Sequence, residues 1–166
     1  MSRSGYSDDC ENWELIKWRG QVASATRGKR GQKLLREMLA ALDAMPVKRL
    51  VAEELVNEGE VCALGALGQA RGVKMEDLDP EDYEAVADRF DIAHQLAQEI
   101  VYENDEGVAE YDYIDVEICG PMRPWPPDYG RHRQTVSVRV EDMPARRWKH
   151  MRDWVAKQIK EGSPNG

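Results

Sequence analysis

Apolar positions recur at helical spacing through roughly the first two-thirds of the chain, then twice switch to strict alternation, and return to helical spacing at the end. Trp13, Ile16, Gly20 and Ala23 form one helical stripe and Leu15, Trp18 and Val22 an adjoining one. Ser7 ahead of Asp8, Asp9 and Glu11 supplies a capping hydroxyl and carboxylates for the positive end of that helix, and Gly28 closes it. Leu35, Met38, Leu39 and Leu42 predict a second helix from about Gln32 to Met45, stopped by Pro46. The short link between the two predicts antiparallel packing. "RLVAEELVNEGEVCAL", residues 49–64, admits two short strands around Asn57–Gly59 or a helix ending at that glycine. The Glu and Ala content, with Leu50, Val51 and Leu55 on one face, favours helix for its first half.

A short helix from Val61 to Arg71 is predicted next, ended by Gly72. Asp79, Pro80, Glu81 and Asp82 have the order of a helix start, and Asp91 reads as a further cap. Beyond it Ile92, Ala93, Leu96, Ala97, Ile100 and Val101 make one stripe, closed by Asn104–Gly107. The period then becomes two. Ile114, Val116 and Ile118 alternate with Tyr113, Asp115 and Glu117, and Val136, Val138 and Val140 with Thr135, Ser137, Arg139 and Glu141. Two half-buried antiparallel strands are expected. A last helix is capped by Asp142 and opened by Pro144, with Trp148, Met151, Val155 and Ile159 as its buried row. The fold class is therefore α+β: a mostly helical single domain over residues 1–166 with a β-hairpin at about 110–141 and a C-terminal helix. Residues 105–141 read as an inserted acidic hairpin element.

A chain of 166 residues, 42% hydrophobic, can bury an unaided core. Cys10, Cys62 and Cys119 are odd in number and more than fifty residues apart, so reduced thiols are expected rather than a disulfide or metal framework. The first residues lack the apolar core of a signal peptide and no apolar run reaches membrane-spanning length, so a cytoplasmic protein without membrane contact is expected.

Charge changes this picture most. The net charge of −8 conceals a balance of +2 over residues 1–75, −15 over 76–117 and +5 over 118–166. Residues 99–117 hold eight carboxylates and no Lys, Arg or His: Glu99, Glu103, Asp105, Glu106, Glu110, Asp112, Asp115 and Glu117. Like charges at helix and strand spacings are mildly destabilising, by a few tenths of a kcal/mol per pair. A surface built only for solubility mixes signs. Three uses fit such a run: docking onto a basic protein groove, imitation of nucleic-acid phosphates, or cation binding. The segment lacks the ligand spacing of a calcium loop, so no metal is expected.

Two further features carry candidate chemistry. "CGPMRPWPPDYGRHR", residues 119–133, holds four prolines and displays Trp125 and Tyr129 among Arg123, Arg131 and Arg133, a composition that suits an interface anchor. "RGKRGQKLLR", residues 27–36, sets five bases and two glycines at a helix junction, where a helix N-terminus can meet phosphate. A solvated bend balancing the acidic middle is the plainer reading of that junction. His94, His132 and His150 are scattered, and neither a nucleophile elbow nor a Cys–His pattern is present, so the chain is read as a non-enzyme without a cofactor.

"SGYSDDCENWELIKWRGQVASATRGKRGQKLLREMLAALDAMP", continued by "NEGEVCALGALGQARG", resembles a family of short proteins encoded in bacteriophages and prophages. The resemblance spans about residues 2–104 and extends to the Trp-bearing final helix. It implies a setting inside an infected or lysogenic bacterium and transfers no catalytic residue, and residues 108–141 fit the family pattern poorly. Together these readings predict an accessory protein that docks by its acidic face on a host or phage protein with a basic groove. A DNA-mimic inhibitor of host defence is one form of this. The alternatives are a nucleic-acid-binding or regulatory module using residues 27–36 and 123–133, or a structural component of the virion or packaging complex.

Overall fold

The computed structural model describes residues 12–117 and 133–159. Among them the chain runs α1 (Asn12–Arg27), α2 (Lys29–Ala44), β1 (Val56–Asn57), β2 (Glu60–Val61), α3 (Ala63–Arg71), α4 (Tyr83–Phe90), α5 (His94–Asp105), β3 (Tyr111–Glu117), β4 (Arg133–Arg139) and α6 (Met143–Gln158). The mostly helical α+β class read from the sequence is the class observed. The expected Ser7 cap, Ile118 and the 162–166 tail lie outside the described residues, as do Cys10, Cys119, His132, Arg123, Trp125 and Tyr129.

The chain divides into two compact units, residues 1–108 with 144–166, and residues 109–143. In the first, α2 supplies the central face. Leu34, Leu35, Met38 and Leu42 are almost fully buried, beside Leu50, Leu64, Leu67, Val86, Phe90, Leu96, Ile100, Met151 and Val155 from the loops and helices around it. Burying side chains of this size stabilises by about 1.5–3 kcal/mol each. α1 contributes its Leu15, Trp18 and Val22 stripe. The Trp13–Ile16 stripe faces out, with Trp13 62% and Ile16 59% exposed.

Several boundaries differ from expectation for local reasons. Residues 49–55 are not helical; Val56–Asn57 pairs antiparallel with Glu60–Val61 across Glu58 and Gly59, both at positive φ. Val51 N–H donates to Val61 C=O at 3.0 Å and Cys62 N–H to Leu55 C=O at 3.2 Å, so the segment trades helix bonds for ladder-like ones. α4 starts later than Asp79–Pro80 suggested: Asp79 bonds the Glu81 N–H at 2.9 Å in a turn, and Asp82 caps the helix through Ala85 N–H. Asp91 is no N-cap. It takes a left-handed conformation, φ 56°, and ends α4, while Ala93 opens α5.

One polar cluster ties this unit together. Asn104, 2% exposed, accepts from Ala63 N–H at the start of α3 and donates to Val51 C=O at 2.9 Å. Arg147 of α6 donates to the Asn104 main-chain carbonyl at 2.8 Å and to Leu50 C=O at 3.1 Å. Buried polar groups are tolerable only when bonded in this way. Cys62 is the thiol counterpart: its Sγ accepts from Gly65 N–H at 3.3 Å as the α3 cap, and burial pushes its pKa up to about 12.

The second unit is a two-stranded antiparallel hairpin in continuous register, from Tyr111 opposite Arg139 to Glu117 opposite Arg133. Val116, Val136 and Val140 are half-buried as the alternation predicts, whereas Ile114 and Val138 are exposed. No described residue of this hairpin is buried; Ile114 is 46% and Val138 44% exposed, and Tyr113 on the opposite face is 76% exposed.

Candidate protein-docking surface

The eight acidic candidates are divided between the two units. Glu99, Glu103 and Asp105 lie on α5, and Glu106 is its C-cap. Glu99 lines a depression of about 370 Å³ with Arg19, Tyr102 and Trp154. Glu103 Oε2 sits 2.8 Å from His150 Nε2 on α6. Asp105 accepts from Glu53 N–H at 3.1 Å and Asn104 Nδ2 at 2.7 Å, holding the turn in which Glu53 has φ 75°. Glu103 and Asp105 are thus engaged inside the unit that carries them.

Glu110, Asp112, Asp115 and Glu117 belong to the hairpin and are exposed. Alternation divides them again. Asp115 and Glu117 share a face with Tyr111 and Tyr113, whereas Asp112 lies on the other face with Ile114 and Val116. Across the strand, Arg139 stands opposite Tyr111 and Arg133 opposite Glu117, and the Thr135 hydroxyl donates to Asp115 at 2.6 Å. The run of one-signed charge in the sequence therefore meets a hydroxyl neighbour from a strand about twenty residues on.

What the hairpin does present is aromatic and aliphatic surface among carboxylates: Tyr111 and Tyr113 on one face, Ile114 and Val138 on the other. Period-two reasoning assigned the aliphatic residues to a core. The signal that pointed elsewhere was Tyr111 and Tyr113 at outward positions inside an acidic stretch. Arg123, Trp125 and Tyr129, the other expected contact residues, lie outside the described residues.

The basic junction is also placed. Gly28 and Ala93, the N-caps of α2 and α5, both line a depression of about 500 Å³ with Gln21, Ser24, Lys29, Arg30 and Gln95. Neither helix has a side-chain cap bond or an acidic residue in its first turn. Arg30 is drawn to Asp91 at 3.2 Å, so part of the positive charge is spent within the protein. His94 packs beside Trp18, ring centroids 6.5 Å apart. Among the described residues no group of three His, Cys, Asp or Glu side chains is placed to hold a metal ion, and no helix is long and apolar enough to cross a membrane.

Comparison with known proteins finds no matching family model, no matching curated protein and no matching solved structure.

Proposed function

We propose that the protein is a non-enzymatic binding module whose hairpin, residues 109–143, docks on a basic surface of a partner protein. The observation that carries this reading is the exposure of Tyr111, Tyr113, Ile114 and Val138 in an element without a buried described side chain. A two-stranded hairpin alone is marginal in water and gains stability by packing its faces against something else. Tyrosines are among the residues that dominate binding energy, and a carboxylate-bearing strand selects a cationic counterpart and speeds its approach. The phage or prophage setting suggested by the N-terminal resemblance supplies partners of that kind, namely nucleic-acid-handling or defence proteins with basic grooves. Exposed tyrosine and aliphatic side chains among the carboxylates favour plain protein docking over imitation of phosphates.

The test is capture from host lysate with the tagged protein, at low and at raised salt, beside a variant carrying Tyr113→Ala and Ile114→Ser. A basic protein retained by the wild type, weakened by salt and lost from the variant supports the reading. Capture that is indifferent to the hairpin substitutions removes it.

A further inference from the structure

We infer that the outer edge of β3 accepts an extended basic segment of the partner as a third strand. This deepens the docking reading above and rests on it for its biological meaning.

The phase of the hairpin ladder is fixed by one bond: Val140 N–H donates to Glu110 C=O at 2.9 Å. In an antiparallel pair, bonded and non-bonded residue pairs alternate. Continuing the register from that bond makes Asp112–Val138, Ile114–Val136 and Val116–Gln134 the bonded pairs. Tyr111–Arg139, Tyr113–Ser137, Asp115–Thr135 and Glu117–Arg133 are then the non-bonded ones. Side chains lie closer in non-bonded pairs, which agrees with the short Thr135–Asp115 contact of 2.6 Å. The main-chain N–H and C=O groups of Tyr111, Tyr113, Asp115 and Glu117 therefore point away from β4. Among the described residues no strand pairs along that edge, because the sheet has only β3 and β4.

Charge decides what fits there. Residues 110–117 contain four carboxylates and no Lys or Arg, whereas β4 contains Arg133 and Arg139 and no carboxylate. Pairing β3 with β3 of a second copy would set carboxylates against carboxylates, and β4 with β4 would set arginines against arginines. Both are destabilising, so each edge resists symmetric self-pairing. A foreign strand with Lys or Arg on one face meets Asp115 and Glu117 with its charges and lays its stems over Tyr111 and Tyr113. Its opposite face, if β-branched, extends the stripe formed by exposed Ile114 and Val138 with half-buried Val116 and Val136. The sheet then has three strands and a continuous apolar face. The occupant is an extended segment of about five to seven residues alternating basic and β-branched side chains, bound by strand addition.

The probe is a synthetic capped heptapeptide of alternating lysine and valine, titrated into the whole protein with amide hydrogen exchange read by NMR. Exchange at Tyr111, Tyr113, Asp115 and Glu117 should slow by about tenfold or more at saturation, with Asp112, Ile114 and Val116 little changed. The same peptide N-methylated at alternate residues should bind about tenfold or more weakly, since it cannot complete the ladder. Tyr113→Pro removes one outward donor, a substitution that edge positions tolerate, and should abolish protection while β4 amides keep theirs. Protection appearing at Thr135, Ser137 and Arg139 instead would overturn the assignment. So would concentration-dependent protection without peptide, which would make a second copy the occupant. Equal binding of the N-methylated peptide would overturn strand addition yet leave acidic docking standing. Edge protection by the peptide together with hairpin-indifferent capture from lysate would keep the edge assignment and remove the proposed function.

Discussion

Arg147 on α6 donates its Nε–H to the main-chain carbonyl of Asn104, 2.8 Å away at the end of α5, and the two residues between them bond the backbone of Leu50, Val51 and Ala63. One buried cationic group thus joins helices 43 residues apart in sequence to the irregular segment before α3. Replacing Arg147 by Leu orphans two carbonyls, and should lower unfolding free energy by about 2–4 kcal/mol. Asn104→Ala should cost about 2 kcal/mol, and the double variant less than the sum, because the residues share one network. Urea denaturation of the three variants checks both magnitudes and the non-additivity.

Gly65 in α3 lies so close to Leu55 that an added Cβ would meet the Leu55 main-chain carbonyl and the Val61 side chain. Neither backbone nor the packed β1–β2 turn can yield cheaply. Gly65→Ala, usually a stabilising change within a helix, should here cost about 2 kcal/mol or more and lower the thermal midpoint. Gly20→Ala in α1, where an added Cβ meets nothing within 4 Å, should be neutral or slightly stabilising and serves as the control.

Cys62 is buried and its thiol is held protonated, with a pKa of about 12 against an ordinary 9.0. In a Cys10→Ser, Cys119→Ser background it should resist a thiol-specific reagent at pH 8 in the folded state and react at once in denaturant. The sign of the pH effect follows from the raised value. Below pH 9 both folded and unfolded thiols are protonated and the contribution is intact. As pH climbs from 9 toward 12 only the unfolded thiol ionises, so stability declines through that window. Denaturation midpoints between pH 8 and 11, compared with those of Cys62→Ala, isolate the effect.

No described residue between 109 and 143 belongs to the hydrophobic core cluster. Replacing residues 110–142 with a short Gly-Ser linker should therefore leave a cooperatively folding helical unit, its thermal midpoint within about 5 °C of the parent. Calorimetry of the excised protein against wild type measures it. The same protein should lose whatever the hairpin binds.

The sequence exposed the helices best where burial is one-sided. α2 could be read from Leu35, Met38 and Leu42 because its opposite face is charged. α1 was legible as a helix, yet the more buried of its two stripes was not, since Trp13 and Ile16 are as apolar as Trp18 and Val22. The first half of residues 49–64 reads as helix yet is irregular, because Leu50, Val51 and Leu55 meet the core from a backbone held by Asn104 and Arg147, partners that lie far along the chain. The acidic run was visible at once. Its dispersal was not, because His150 and Thr135 reach it only through tertiary and cross-strand placement. The alternation of β3 and β4 gave their pairing, but periodicity marks a two-faced strand without saying whether either face is covered.

The separation of hairpin from core also sets how the two parts tolerate change over generations. A substitution in residues 50–72 is tested first by whether the chain folds, since Leu50, Leu55, Leu64 and Leu67 are buried within it. A substitution at Tyr113, Ile114 or Asp115 leaves the core cluster intact and escapes that test. Divergence between relatives should therefore concentrate in the two hairpin strands rather than in residues 50–72.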